Sequence, residues 1–188
     1  MEKKRILLDM DGVLSDFISG AVNVLNRAYD RNITMKQYAT EFGEWGTYDY
    51  YGITVEEFWR PINQEPNFWI NLKPYPWYKE LYNSLCDIGE VTIVTSPSED
   101  PDCMAQKLKW ARHYLGISIT EMFFGSRKYL MAGNGILIDD YSKNTEAFAT
   151  AGGESILIPS NWNTPDISFD KVWDTIQKNE TIQLWQIS

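Results

Sequence analysis

The sequence predicts an α/β fold of three layers, a mainly parallel sheet flanked by helices, with a small subdomain inserted after the first strand. Three observations carry this prediction. Short apolar or β-branched runs (Ile6-Leu7-Leu8, Val91-Thr92-Ile93-Val94 and Ile136-Leu137-Ile138) have the length and composition of strands buried on both faces. Between them lie segments whose apolar residues recur at helical spacing. Each run also ends in polar residues, namely Asp9 and Asp11, Thr95 and Ser96, Asp139 and Asp140, and the carboxyl edge of a parallel sheet is where such folds bind ligands.

After the first run, Gly12 opens a turn. Leu14, Phe17, Ile18, Ala21, Val22, Leu25 and Ala28 then mark one face of a helix from Leu14 to about Arg31, capped by Ser15 or Asp16. From Asn32 to Lys73 the pattern changes to short helical pieces among aromatic loops. One piece runs from Thr54 to Asn63, with Thr54 as N-cap and Glu57 at the third helical position. Phe42, Trp45, Tyr48, Tyr50, Tyr51, Phe58, Trp59, Phe68 and Trp69 crowd this stretch, either as filling for a small subdomain or as walls of a flat apolar ligand site. Beyond Pro74 and Pro76 the regular alternation resumes, with a helix from Trp77 to Ile88, Gly89 as its stop, and the strand Val91 to Thr95. A helix from Asp102 to Leu115, a strand near Ile119 to Phe124, a short helix around Tyr129 to Ala132 and the strand Ile136 to Ile138 follow. Ser142 to Ala151 reads as helix, Ser155 to Ile158 as extended chain and Phe169 to Lys178 as helix.

Seventeen Lys and Arg against twenty-six Asp and Glu give a net charge of −9, which argues against a protein that tracks a nucleic-acid polymer or an anionic membrane. An anionic substrate must therefore meet local positive charge. Cys86 and Cys103 have neither CxxC nor zinc-finger spacing and make no disulfide framework, so a reducing, cytoplasmic setting is expected. The apolar run after the basic start is too short for a signal peptide, and no segment offers about 18 uninterrupted apolar residues to span a membrane. A small-molecule partner is expected, and a homodimer stays open.

Four carboxylates gathered at one sheet edge repel one another unless a cation sits among them, and hard oxygen ligands with few nitrogens suit Mg²⁺. A single Asp at a strand end often only caps a loop, and Thr95-Ser96 before Pro97 also suits a turn or helix cap. The coincidence of several strand ends is what points to chemistry. His113, the sole histidine, has no serine or acid motif around it, so a Ser-His-Asp triad is not supported. Gly133-Asn134-Gly135 lacks the Lys-Ser/Thr of a Walker loop, and Asn161-Trp162-Asn163 reads as a loop after the strand ending at Ile158, within reach of the active-site mouth but explained at least as well by turn chemistry.

Asp9-Met10-Asp11-Gly12-Val13 resembles the first motif of the haloacid dehalogenase-like phosphohydrolases. Thr95-Ser96 resembles their second motif, Lys128 falls where the third-motif lysine belongs, and Ile138-Asp139-Asp140 resembles the acidic fourth motif. Asp9 through Phe17, Thr95-Ser96-Pro97, Cys103 to Lys107 leading to Trp110, and Leu137 to Asp140 narrow the resemblance to the 5′(3′)-deoxyribonucleotidases. The resemblance implies a Rossmann-like core of residues 1–16 and 74–188 with a small helical cap near 17–73, and a Mg²⁺-dependent phosphomonoesterase acting on deoxyribonucleoside monophosphates.

In the mechanism so implied, Asp9 is the nucleophile that forms an aspartyl-phosphate, and Asp11 is first general acid and then general base. An ionised Asp9 beside it would help to hold the proton on Asp11. The Asp9 side chain, the Asp11 backbone carbonyl and Asp140 would hold Mg²⁺, and Asp139 would position a metal-bound water or Lys128. Thr95, Ser96 and Lys128 would contact the phosphoryl group, with Lys107 and Arg127 as further candidates; a Lys beside Lys109 on a helix otherwise reads as solvated. Phe17, Phe42, Trp45 and Trp59 would meet base and sugar. The alternatives are a related phosphatase for sugar phosphates or nucleic-acid 3′-ends, and a catalytically silent nucleotide-binding protein on the same fold. The cap's rings favour a nucleotide, the acidic balance disfavours a polymer, and the presence of Asp9 and Asp11 disfavours the silent protein.

Overall fold

In the computed structural model, which describes residues 5–41, 51–133, 135–162, 164 and 166–187, the apolar runs form a five-stranded, all-parallel sheet. The strands are β1 (Arg5–Leu8), β2 (Glu90–Thr95), β3 (Met122–Phe124), β4 (Ile136–Asp139) and β5 (Glu154–Leu157), in the order β3-β2-β1-β4-β5. β1 is central, with Leu8 paired to Ile93 on one side and Ile138 on the other. A central parallel strand is covered on both faces, and Ile6, Leu7 and Leu8 are at most 3% exposed. Strand alternation divides them: Ile6 and Leu8 join the large core on one face, while Leu7 packs with Val94, Leu137 and Phe148 on the other.

The helices are α1 (Phe17–Tyr29), α2 (Met35–Glu41), α3 (Val55–Gln64), α4 (Tyr78–Ile88), α5 (Cys103–Leu115), α6 (Ser142–Thr150), α7 (Phe169–Gln177) and α8 (Glu180–Ile187), with 3₁₀ turns at Ile119–Glu121 and Lys128–Met131. α3 begins at the expected capping box, the Thr54 hydroxyl accepting from the Glu57 N–H while the Glu57 carboxylate accepts from the Thr54 N–H. α5 ends at Gly116 in the left-handed conformation that favours glycine. Among the described residues no helix is long and apolar enough to cross a membrane.

Three elements differ from the sequence expectation. The first helix begins at Phe17 instead of Leu14, because the Leu14 and Ser15 N–H groups both donate to the Met10 carbonyl (2.8 and 2.9 Å). The same loop is stitched to the returning chain by Asp16 N–H to the Lys73 carbonyl (2.8 Å) and Tyr75 N–H to the Leu14 carbonyl (2.9 Å), leaving Asp16 to cap α1. The strand expected near Ile119 is shortened to three residues, since a capping box between Ser118 and Glu121 tightens 119–121 into a 3₁₀ turn. α8 was not expected; its signal is Asn179, whose side chain accepts from the Ile182 N–H at 3.1 Å, and Ile182 is buried.

The segment between β1 and α4 is held onto the core by one face of α5. Gln106 Oε1 accepts from the Trp69 and Ile70 N–H groups (3.1 and 3.4 Å), and Trp110 Nε1 donates to the Leu72 carbonyl (2.8 Å). Tyr51, Phe58 and Phe68 are buried filling, as the plainer reading of this aromatic stretch expects. Phe42, Trp45, Tyr48 and Tyr50 lie outside the described residues.

Candidate active site

The register of the sheet gathers the polar strand ends. Because Leu8 is level with Ile93 and Ile138, Asp9 is flanked by Val94 and Asp139, with Thr95 and Asp140 one residue further along. The Asp9 N–H donates to the Ile138 carbonyl at 2.9 Å, continuing the ladder into the site.

Asp9 is fixed through one oxygen. Its Oδ1 accepts from the Met10 N–H at 2.8 Å and from Lys128 Nζ at 2.7 Å, while Oδ2 has no partner among the described residues. Lys128 Nζ also donates to Asp139 Oδ2 at 2.7 Å, so this buried ammonium bridges two buried carboxylates. Asp139 is held further by the Tyr141 N–H (2.9 Å) and by Asn144 Nδ2, which lies 3.2 and 3.0 Å from its two oxygens. Burial pushes the Asp9 carboxyl up to about 7; Lys128 opposes that shift, and the charges of Asp139 and Asp11 add to it. Asp140 is likewise held well above the usual carboxylate range, by burial first and then by Asp139 and Asp9. For Lys128 burial works against the charge, but Asp9 and Asp139 outweigh it and keep the ammonium above the ordinary lysine value.

Asp11 sits in the loop after β1, where Ser15 Oγ donates to its Oδ1 at 2.9 Å and Lys107 Nζ forms a salt bridge to its Oδ2. Lys107 comes from α5 and is fully buried, contrary to the solvated alternative. The same ammonium donates to Thr95 Oγ1 (2.9 Å) and to the Ser96 carbonyl (2.6 Å), and it lies 4.4 Å from the centre of the Trp69 ring. Thr95 is buried, and its hydroxyl is directed to Asp11 Oδ2 at 3.5 Å. Gly12 makes room for Asp140. Its φ is +84°, and a Cβ built there would lie 1.8 Å from Asp140 Oδ2.

These groups open onto a cavity of about 300 Å³. Asp9, Asp11, Lys128 and Asp140 line one part of it, and Phe17, Trp59, Trp69 and Trp162 line another. The Phe17 ring stacks on Trp69 (centroids 5.5 Å apart, planes within 11°) and lies 5.8 Å from Trp59. Ser96 also lines the cavity, whereas Thr95 and Lys107 are not part of its lining. Arg127 is exposed and does not line it. Trp69, Asn144 and Trp162 belong to this surroundings and were not singled out as site residues by the sequence. For Trp162 the available signal was its position just after a strand, at the same sheet edge as the carboxylates; turn chemistry alone does not explain it, because its Nε1 donates to Asp140 Oδ2 at 2.5 Å.

Asp9, Asp139 and Asp140 each offer an oxygen within 4.8 Å of the others, so the cluster is able to hold a cation. Asp11, Asp9, Asp139 and Asp140 carry four formal negative charges against the two of Lys107 and Lys128, an imbalance that fits a divalent ion. Both Asp139 oxygens are already engaged by Lys128, Asn144 and the Tyr141 N–H, which leaves Asp9 and Asp140 as the better side-chain donors.

A family model described as "5' nucleotidase, deoxy (Pyrimidine), cytosolic type C protein" matches residues 3–182. The chain belongs to this deoxyribonucleotidase family. A Staphylococcus epidermidis protein provisionally named a 5'(3')-deoxyribonucleotidase is 28% identical over 173 residues, 92% of either chain. The human 5'(3')-deoxyribonucleotidase of cytosolic type is 26% identical over 169 residues, 81% of this chain and 78% of its own. Among solved structures, a haloacid dehalogenase-like hydrolase of Burkholderia xenovorans matches with a TM-score of 0.60 over 100% of both chains at 14% identity. CbbY of Rhodobacter sphaeroides, solved with phosphate, matches with a TM-score of 0.55 over 89% of this chain and 90% of its own, also at 14% identity. At that identity the structures speak for the fold, and the fold is that of the haloacid dehalogenase-like hydrolases. This deoxyribonucleotidase-family chain is a phosphoric monoester hydrolase.

Proposed function

We propose that this enzyme dephosphorylates deoxyribonucleoside 5′(3′)-monophosphates in a Mg²⁺-dependent reaction in which Asp9 is the nucleophile. The observation that carries the reading is the Asp9 carboxylate: one oxygen is locked by Met10 and Lys128, the other has no partner among the described residues, and the residue lines a cavity walled by aromatic rings. Asp9 Oδ2 attacks phosphorus, the ester P–O bond breaks, and the phosphoryl group passes to Asp9 as an aspartyl-phosphate. Water then attacks that phosphorus, releasing phosphate and restoring the carboxylate.

Asp11 protonates the leaving alkoxide and later takes a proton from the attacking water. As found, Asp11 accepts from both Ser15 and Lys107. A protonated Asp11 turns one oxygen into a donor and keeps the other as an acceptor for Ser15 or Lys107. Lys128, oriented by Asp139 and Asn144, holds Asp9 for attack and stabilises charge on the phosphoryl group. Thr95 keeps Lys107 and Asp11 in register, and Ser96 offers donors to phosphoryl oxygens. The Asp9 and Asp140 side chains and the Asp11 main-chain carbonyl would hold Mg²⁺, which when bound offsets the repulsion between Asp9 and the phosphate dianion.

Residues 17–73 act as the cap over the core of 1–16 and 74–188. In this reading Phe17, Trp59 and Trp69 stack on the base, at about 1–3 kcal/mol per stacked base. Rings close to the sugar disfavour a 2′-hydroxyl, which would lose its water without gaining a partner.

The test is phosphate release from a panel of deoxy- and ribonucleoside monophosphates and sugar phosphates, in Mg²⁺ and in EDTA, for the parent and Asp9→Asn. Metal-dependent release from the deoxynucleotides, lost in the variant, is the expected result. Turnover mainly of sugar phosphates would refute the substrate, and undiminished turnover in EDTA or in Asp9→Asn would refute the mechanism.

A further inference from the structure

The loop after β5 reaches back to the site through three consecutive side chains. Ser160 Oγ donates to the Gly12 carbonyl at 2.8 Å, Asn161 Nδ2 to Asp16 Oδ1 at 2.8 Å, and Trp162 Nε1 to Asp140 Oδ2 at 2.5 Å. The loop is itself anchored, since the Tyr75 hydroxyl donates to Asn161 Oδ1 at 2.6 Å. Trp162 is 4% exposed and packs edge-on against Tyr141.

The two adjacent carboxylates of the acidic edge are treated differently. Asp139 is met by an ammonium, which fixes it and answers its charge in place. Among its partners Asp140 has an indole, which has one N–H to donate, no acceptor and no charge. Such a donor orients a carboxylate while leaving its negative charge for another partner, and groups in this relation to a ligating carboxylate tune the metal it binds. The glycine at position 12 serves the same end, because any side chain there would displace the oxygen that Trp162 holds.

We infer that Trp162 is a positioning residue for the divalent-cation site: its indole N–H sets the orientation in which Asp140 meets the cation. The inference rests on the reading of Asp9 and Asp140 as the cation's side-chain ligands.

The experiment is calorimetric titration of metal-stripped protein with MgCl₂ alone at pH 8, for the parent, Asp140→Asn, Trp162→Phe and Trp162→His. Phe keeps an aromatic ring and loses the donor. His loses most of the bulk but keeps a ring N–H, Nε2, at the same bonded distance from Cβ as the indole nitrogen. The Mg²⁺ dissociation constant is expected to rise about 10- to 100-fold in Trp162→Phe and to recover most of that in Trp162→His. Parent-like binding in Trp162→Phe, or a His variant weaker than the Phe variant, would overturn the inference and leave the cation reading standing. A parent protein that binds no Mg²⁺ would overturn both. In ¹⁵N-tryptophan-labelled parent, which does not depend on either Trp162 variant folding, the Trp162 indole resonance is expected to move on Mg²⁺ addition and to stay fixed in Asp140→Asn; an unmoved parent resonance counts against the inference.

Discussion

Replacing Asp9 by Asn is expected to abolish turnover and, in EDTA at pH 8, to make the protein harder to unfold. Burial raises the Asp9 carboxyl from its ordinary 3.8 to about 7 even with Lys128 beside it. Between those two values the folded protein binds more protons than the unfolded chain, so Asp9 lowers stability progressively as pH rises from about 4 to about 7. Above 7 the full penalty is present, on the order of 4 kcal/mol. Asn has the same shape, and its Oδ1 is able to keep the hydrogen bonds from Met10 and Lys128. Lys128 retains Asp139, and Asp140 is relieved of one of the charges that raise it. The attraction between Lys128 and a charged Asp9 is already contained in that value. With half of the penalty recovered, the gain is about 2 kcal/mol, or roughly 4–8 °C in melting temperature for a chain of this size.

The assay is thermal melting of both proteins in EDTA from pH 4.5 to 8.5. The advantage of the variant should be full above pH 7 and shrink as pH falls toward 4, where Asp9 is protonated in folded and unfolded chains alike. Mg²⁺ at pH 8 should raise the parent more than the variant. A variant less stable than the parent at pH 8 in EDTA, or a difference that does not change with pH, would show that Asp9 is not held at the expense of the fold.

Three further expectations follow from single contacts. Gly12→Ala puts a Cβ onto Asp140 Oδ2 at a φ of +84°, where a left-handed conformation alone costs an L-residue about 1–2 kcal/mol; melting should show a lower Tm and a lost Mg²⁺-dependent stabilisation. Thr95→Val removes the hydroxyl that accepts from the buried Lys107, an unmet donor worth about 1–3 kcal/mol, so kcat should fall by roughly 10- to 100-fold while Thr95→Ser stays near the parent. Lys128→Met leaves Asp9 and Asp139 facing each other in the interior and should destabilise by about 3–5 kcal/mol at pH 8, less at pH 5, where the raised Asp9 carboxyl takes up a proton; urea unfolding at both pH values measures it.

The sheet was legible because two-sided burial leaves β1 and β4 apolar up to the residue where each meets the site, so Asp9 and Asp139 announce themselves by breaking the run. The aromatic insertion was not legible at the same resolution. Phe58-Trp59 and Phe68-Trp69 are two adjacent ring pairs, and in each only the Trp lines the cavity, half-buried at Trp59 and buried at Trp69, while the Phe packs in the core. Composition treats the members of a pair alike; which one faces the cavity depends on how α3 and the 66–73 segment are rotated against α1 and α5, a tertiary fact. Lys107 was ambiguous for a related reason. Beside Lys109 on a helix it looks solvated, and what buries it is an acid 96 residues away in sequence. Trp162 shows the same limit, since its partner Asp140 belongs to a different loop.

The charge pattern then explains how a chain of net charge −9 can serve a dianionic substrate. Neither buried lysine at the site is a free positive charge. Lys107 is committed to Asp11, and Lys128 to Asp9 and Asp139 together. What the lysines leave incompletely answered is a pair of carboxyls, Asp9 and Asp140, both pushed upward by burial first and by their acidic neighbours next. Isolated, that pair would repel a phosphate and strain the fold. A divalent cation held by the pair, as proposed, would turn it into the local positive potential that the rest of the sequence withholds, so that affinity for the substrate and relief of the buried charge would come from one event. The neutral indole at Asp140 is consistent with that division, because a third ammonium there would answer the charge in advance and remove the reason for a cation to bind.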